Sequence, residues 1–290
     1  MIDVLLQQIA NGLSVGMGYA LVALGLSLIF GVLHVINFSH GETFMLGGLT
    51  TLIATTVLGV PYMLALPLAG IGGAILGYAV NWLAVKPLLP RRDGAADVLL
   101  STFAISILIH QAVVVFWGPA PARVDGLAGS LEIGPVVLTN QRLFVLAMGL
   151  AFLAILEFGL RRTRFGQELR AVAQSAFAAK VVGIDVERVN LRAFLIAAVV
   201  AAVGGGLLSP VILYSSMMGQ VAIIKAFVVV VIGGMGSISG AVICGLLIGL
   251  LESVLSLAMG EGMATALIFS LLLAVLLVRP YGLAGKKAAR

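Results

Sequence analysis

The sequence predicts an all-α, polytopic helical membrane protein of about 8–9 spans, one of them short or discontinuous. Two observations carry that prediction. Of the 290 residues, 61% are apolar and only 10% are Asp, Glu, Lys or Arg, against roughly 45–50% and 25% in soluble domains; the mean hydropathy is +1.18. The apolar residues also run continuously for about the 20 residues a helix needs to cross a bilayer. They do not alternate in the short segments of a transmembrane barrel. A soluble enzyme, a nucleic-acid binder and a disordered chain are thereby excluded.

The first span is expected at 9–33. Residues 1–8 lack the basic segment of a cleavable signal, so this run reads as a retained span. Gly12-Leu13-Ser14-Val15-Gly16 matches the G-x-S-x-G nucleophile pattern, but that motif needs a strand–turn–helix. Inside a span the two glycines instead offer a face for close helix approach. Gly73 and Gly77, Gly236 and Gly240, and Gly245 and Gly249 repeat the spacing. Each pair is read as one helix face packed within the subunit, with a subunit interface as the sharper alternative.

Between the first and second spans lies His34-Val35-Ile36-Asn37-Phe38-Ser39-His40-Gly41-Glu42. Asn37 or Ser39 is of a type that caps a helix, and Glu42 in the first turn would meet its positive end. The other reading makes Asn37, His40 and Glu42 part of a translocation path or gate, because ionisable groups in a membrane are expensive and often functional. Further spans are expected at 43–60, 62–85, 97–117, 142–160, 191–214, 240–259 and 263–279. A shorter apolar piece at 222–234 runs into Gly233-Gly234-Met235-Gly236-Ser237, a stretch that breaks helices readily because each Gly costs about 1 kcal/mol relative to Ala. No internal repeat is visible.

The few polar groups in or near spans include Asn81, His110, Gln111, Glu157, Lys225 and Glu252. Arg161 at i+4 explains Glu157 as a local ion pair. Lys225 is expected to snorkel from the external end of the short helix. Glu252 has no local partner and is expected to face the bundle interior or a water path. Cys244 reads as a small packing residue. Three His and one Cys make a metal site improbable. Neither H-E-x-x-H nor a P-loop occurs, and nothing pairs a nucleophile with a base.

Basic residues orient the array. Lys86, Arg91 and Arg92 follow the third span. Arg161, Arg162, Arg164, Arg170, Lys180, Arg188 and Arg192 cluster before the sixth, and Arg279, Lys286, Lys287 and Arg290 close the chain. These regions should be cytoplasmic. The 118–141 loop, with Arg123 alone, and the N-terminus should then lie outside. An even number of crossings is needed between the 161–192 region and a cytoplasmic C-terminus, so the short 222–234 piece must count as one, or another piece must be re-entrant. The whole chain, 1–290, reads as a single transmembrane domain.

The 161–190 segment is its longest polar stretch. A helix is expected from Gln167 to Val182, stopped by Gly183. Leu169, Val172, Ala173, Ala176 and Ala179 or Lys180 share a weakly apolar face, suited to a groove on another protein; the alternative is a solvated loop helix pinned by its own bundle.

Three segments together resemble a known family. Gly166-x-x-x-Arg170-Ala171-x-Ala173 with Ala179-x-x-x-Gly183-Ile184 is similar to the coupling segment of bacterial ABC import permeases. With Asn37-Phe38-Ser39-His40-Gly41-Glu42 and Lys225-Ala226-Phe227…Gly233-Gly234-Met235-Gly236-Ser237, the chain resembles the branched-chain amino acid ABC transporter permease family, H-type (LivH-like) subunits. The resemblance implies an ABC importer permease fold in the inner membrane. It implies a second, M-type permease subunit, two cytoplasmic ATPase subunits that carry the ATP and Mg, and a periplasmic binding protein delivering leucine, isoleucine or valine. This chain would bind no cofactor and catalyse no reaction. Gly166, Arg170, Ala171, Ala173 and Gly183 would belong to the segment that meets an ATPase. Such permeases also carry urea, short amides or other amino acids. A stand-alone secondary transporter, relying on Glu252, is the remaining alternative.

Overall fold

In the computed structural model, residues 2–279 and 282–284 are described. They form α1 (Ile2–Leu33), α2 (His40–Thr56), α3 (Tyr62–Val80), a π-helical turn (Asn81–Val85), α4 (Lys86–Leu88) and α5 (Gly94–Phe116). A hairpin of β1 (Ser130–Ile133) and β2 (Val136–Thr139) follows. Then come α6 (Asn140–Arg162), α7 (Arg164–Gln174), α8 (Ala176–Val181), α9 (Val186–Leu208), α10 (Met218–Gly233), α11 (Ile238–Met259) and α12 (Glu261–Val278). Among the described residues seven helices are long and apolar enough to cross a membrane: α1, α3 with its continuation to Leu88, α5, α6, α9, α11 and α12. Outward faces carry large apolar side chains such as Phe103, Ile107, Phe158, Leu247 and Leu277, a surface that lipid covers and water does not. This is a multi-pass membrane protein.

Two helices are short, where the sequence suggested one. α2 and α10 both start inside the bundle and end near one of its surfaces. His40 Nε2, at the start of α2, donates to the carbonyl of Val22, 3.2 Å away. Val22 lies about eleven residues, or about 16 Å, from the end of α1 at ~1.5 Å per residue. From there α2 climbs to the end of the bundle that bears the hairpin. α10 begins against it, at the contact of Gly41 with Gly219, and descends to the other end, where the basic loops lie. Hydropathy placed a span at 43–60 because composition carries no information about depth.

This pairing exposes an inverted repeat that the sequence conceals. α1, α2, α3 and α5 run oppositely to α9, α10, α11 and α12, and the packing partners correspond: α1 on α11 as α9 on α3, and α1 on α10 as α9 on α2. The seams match as well. Gly12 and Gly16 meet the backbone of α11 at Gly249 and Gly245, at 2.8 and 2.9 Å from an added Cβ, whereas Gly73 and Gly77 meet Ala202 and Ala198 on α9. Small residues on both sides let helices approach without a hydrophobic driving force, which lipid does not supply. All three glycine pairs on α1, α3 and α11 therefore pack within the chain. The fourth is corrected: Gly236, at φ +82, lies in the turn before α11 and not on a helix face with Gly240.

The segment between the repeats holds the hairpin and α6 to α8. The hairpin turns at Gly134, φ +59, and Pro135, a two-residue connection. It sits at the end opposite the basic loops, where Gln7 bonds Val137 through both its amide groups. Gln141 ties this end together. Its Nε2 donates to the Tyr62 hydroxyl at 2.7 Å and the Leu207 carbonyl at 2.9 Å, and its Oε1 accepts from the Leu127 amide at 3.1 Å. Each buried group left unpaired costs about 1–3 kcal/mol. Gln141→Leu should therefore lower the melting temperature in detergent by about 5–10 °C, at a few degrees per kcal/mol. An unchanged melt would show that water replaces the amide.

The N-terminus lies at the hairpin end and Val278 at the basic end, where the Leu283 amide donates to the Ile232 carbonyl at 2.7 Å. The second half thus reaches the basic end by an even number of crossings, with α10 completing one. Lys286, Lys287 and Arg290 lie outside the described residues.

Candidate functional site

Three groupings of polar or exposed side chains stand out against the apolar bundle. The first surrounds the start of α2. Asn37 Oδ1 accepts from the amide of Ser39 at 3.1 Å and from its hydroxyl at 2.7 Å. The Ser39 side chain makes no cap bond, so Asn37 turns the chain into the helix from two residues upstream. Glu42 lies in the first turn, as the sequence suggested, and is 1% exposed. Its Oε1 accepts from the Ser106 hydroxyl at 3.2 Å, while Oε2 is buried with no partner among the described residues. The Tyr214 hydroxyl is likewise buried and unpaired.

α5 binds both helix entries through one stripe. Thr102 Oγ1 accepts from the Phe38 amide at 3.2 Å, Ser106 donates to Glu42, and His110 Nδ1 donates to the Ser216 carbonyl at 3.1 Å. These residues sit at i, i+4 and i+8, so they share a face. The spacing was present in the sequence, but only His110 drew notice there. The entry of α2 is thus joined to α5 through Thr102 and Ser106 and that of α10 through His110, while His40 turns the other way, to Val22 of α1. The two helix N-termini converge, and their dipoles favour the Glu42 carboxylate.

Glu252 does not join them. It pairs with Lys225 of α10, whose Nζ also donates to the Tyr19 hydroxyl at 2.8 Å and lies 4.9 Å from the centroid of that ring. The expectation that Lys225 snorkels from an external end is overturned. α10 begins deep in the bundle, so Lys225 at its middle finds its partner inside. Glu157 pairs with Arg161, as the i, i+4 spacing indicated.

The third grouping is at the basic end. The helix expected over 167–182 is broken in two at Ser175, whose extended backbone ends α7 and whose Oγ accepts from the Ala178 amide at 3.2 Å to start α8. A serine that can bond its own backbone competes with helix continuation. Gly183, at φ +87, ends α8, a backbone that glycine adopts without strain. The periodic face found in the sequence turns inward: Leu169, Val172 and Ala179 are buried in their own bundle. Gly166 is buried as well, where an added Cβ would strike the Leu160 carbonyl, and the Arg170 guanidinium donates to that same carbonyl. Ala171 and Ala173 are half-buried and Gly183 is exposed.

What α8 presents outward was missed. Phe177 is 82% exposed, Val181 71% and Val182 76%. A cavity of about 600 Å³ lies beside α8, lined in part by Asn81, Lys86, Ala176, Glu187 and Arg188. Phe177 is thus an exposed aromatic side chain at the basic end, beyond what packing within the chain uses.

The sequence matches the family described as "Branched-chain amino acid transport system / permease component" over residues 8–278. Similar proteins include the high-affinity branched-chain amino acid transport system permease protein LivH of Salmonella typhimurium, 33% identical over 97% of this chain and 96% of that protein. BraD of Pseudomonas aeruginosa, of the same description, is 31% identical over 97% and 96%. A probable LivH of Methanocaldococcus jannaschii is 30% identical over 91% and 88%.

Proposed function

The chain belongs to the branched-chain amino acid transport permease family, and from that membership we propose that it is a transmembrane subunit of an ATP-driven importer of leucine, isoleucine and valine in the inner membrane. It contributes no catalytic group and binds no cofactor; ATP and Mg are held by two ATPase subunits on the cytoplasmic side. A second, M-type permease subunit completes the path, and a periplasmic protein delivers the amino acid to the hairpin end. The basic end, with the C-terminus, faces the cytoplasm, as the positive-inside rule requires. The 161–190 segment is the coupling loop of a single transmembrane domain, 1–290.

The observation that carries this reading is α8, an apolar knob at the basic end of a chain without a nucleotide motif. Gly166 and Arg170 hold α7 against α6, Ala171 and Ala173 lie at its half-buried edge, and Gly183 lets the chain leave α8. Together they fix how Phe177, Val181 and Val182 are presented to an ATPase. The polar junction of Asn37, His40 and Glu42 lies where the inverted repeats meet, the usual depth of a transporter's substrate path; Glu252 adds a second polar point. Repeats pivoting about that junction supply alternating access.

Tagged protein isolated from its native membrane should bring an ATPase with it, and proteoliposomes of the whole assembly should take up leucine only with ATP and binding protein. Uptake by this chain alone would favour the secondary-transporter reading, which the intramembrane Lys225–Glu252 pair supports. A binding protein that holds urea or a short amide in place of a branched-chain amino acid would keep the mechanism and change the cargo.

A further inference from the structure

The ion pair between Lys225 and Glu252 has no role in the coupling loop or in the polar junction. Tyr19 lies near the middle of α1, Lys225 near the middle of α10, and Glu252 seven residues, about two turns, before the end of α11. All three side chains therefore lie within apolar helices, and none is at a helix end. Neither side chain is fully enclosed: 17% of Lys225 and 15% of Glu252 remain exposed. Charges within apolar membrane helices face protein or a water-filled path, because lipid tails give them nothing to bond.

The repeat argues against a mere staple. Carrying α10 onto α2 through Gly219 and Gly41 places Lys225 at about Gly47. Carrying α1 onto α9 through the small-residue seam places Tyr19 at about Gly205. There the junction is closed by bare backbone: a Cβ at Gly47 would strike the Ala202 carbonyl, and one at Gly205 the Phe44 carbonyl. The fold closes one half without charge, so charge in the other half is not a requirement of packing. A buried ion pair is in any case often no more stabilising than apolar side chains of similar volume.

The pair is also incompletely satisfied. Glu252 Oε1 is engaged by Lys225, but Oε2 is buried without a partner among the described residues. An ammonium group offers three donors and a carboxylate about four acceptor positions. A second ammonium would fill the gap on Glu252, and a second carboxylate would compete for Lys225.

We infer that Lys225 and Glu252 bind the two charged ends of an α-amino acid zwitterion during passage, Lys225 taking the carboxylate and Glu252 the ammonium. The inference rests on the amino-acid reading above and narrows it, since urea and neutral amides carry neither charge. In the resting protein the two side chains neutralise each other; the zwitterion inserts between them and keeps both paired. Tyr19 holds Lys225 in place while its carboxylate partner changes.

The test uses the complete transporter in proteoliposomes, with its ATPase and binding protein, and radiolabelled leucine. A neutral variant, Lys225→Met with Glu252→Gln, should assemble in wild-type yield and take up leucine at less than about one-tenth of the wild-type rate. The charge-exchanged variant, Lys225→Glu with Glu252→Lys, should assemble and not recover uptake, because the charges are restored in the wrong order. Leucine uptake rescued by exchange, or undiminished in the neutral variant, overturns the inference and leaves the importer standing. Failure of the neutral variant to assemble makes the pair a staple and also overturns it. A wild-type transporter that moves urea or an amide but no amino acid overturns the cargo reading and this inference together.

Discussion

Gly41→Val should reduce recoverable folded protein by about tenfold. A Cβ at Gly41 would meet the Gly219 carbonyl and come within 2.7 Å of Ile223 Cβ; one at Gly219 would lie 2.8 Å from the Gly41 carbonyl and 3.0 Å from Glu42 Oε2. The obstacle is backbone on both sides, so rotamer changes give no relief. Overpacking a core typically costs about 1–3 kcal/mol, and here the displaced elements are the starts of two helices whose polar entries are held by α5. Displacing α2 would also pull Glu42 from Ser106 and leave a buried carboxylate without any bond, a penalty of further kilocalories. The measurement is size-exclusion of the detergent-extracted protein, with Gly159→Val as control, because a Cβ at Gly159 meets nothing within 4 Å. Equal monodisperse yields for the two variants would mean that the contact of α2 with α10 yields easily and is not the hinge of the repeats.

That contact was beyond the reach of sequence reasoning for a physical reason. Hydropathy reports that a segment avoids water, and it reports this equally for a helix that spans and for one that stops halfway. The spans of α1, α3, α5, α6, α9, α11 and α12 were legible because each is long enough for composition to decide. α2 was misread as an ordinary span because its 17 residues are as apolar as a true one. The repeat stayed hidden because its matching seams use different residues: glycines on both α1 and α11, but glycines against Ala198 and Ala202 on α3 and α9. What matters to the packing is smallness, which no single residue type marks.

The site was legible in part. Asn37, His40 and Glu42 were singled out because charge and hydrogen-bonding capacity are costly where they lie, and each is buried with a partner of its own, Ser39, Val22 and Ser106 respectively. Ser106 and Thr102 of α5 escaped because hydroxyls inside helices satisfy themselves on their own backbone and raise no alarm. Serine and threonine hydroxyls do so elsewhere in this bundle, Ser14 on the Ala10 carbonyl and Thr51 on that of Gly47. Glu252 was expected to face the bundle interior or a water path, whereas Lys225 was expected to snorkel from the end of its helix and instead turns to Glu252 from the middle of α10. In the 161–190 segment one continuous helix was expected, but Ser175 breaks it, and Leu169, Val172 and Ala179 of the expected face follow the own-bundle alternative and not the groove on another protein. A weakly apolar face is as suitable for the chain's own bundle as for another protein, and Leu169, Val172 and Ala179 take the nearer option.

Phe177→Asp should abolish ATP-driven uptake while leaving the permease folded. The ring is 82% exposed, so removing it forfeits almost no packing within the chain. The local helix survives as well, since the α8 cap is made by Ser175 and the stop by Gly183. At a protein interface a central aromatic commonly contributes about 2 kcal/mol or more, and a carboxylate in its place must also be desolvated without a partner. Binding of the ATPase should therefore weaken by at least about thirtyfold. Arg170→Glu should also lose uptake, but by another route. The Arg170 guanidinium holds the Leu160 carbonyl in the last turn of α6, and a carboxylate there would face the negative end of that helix. This substitution should loosen α7 and lower the melting temperature; Phe177→Asp should not. Measuring uptake, ATPase recovery and melting for both separates presentation of the knob from the knob itself. Wild-type uptake in Phe177→Asp would place the ATPase contact elsewhere than α8. A melt depressed equally in both would mean that Phe177 packs against its own chain in the membrane.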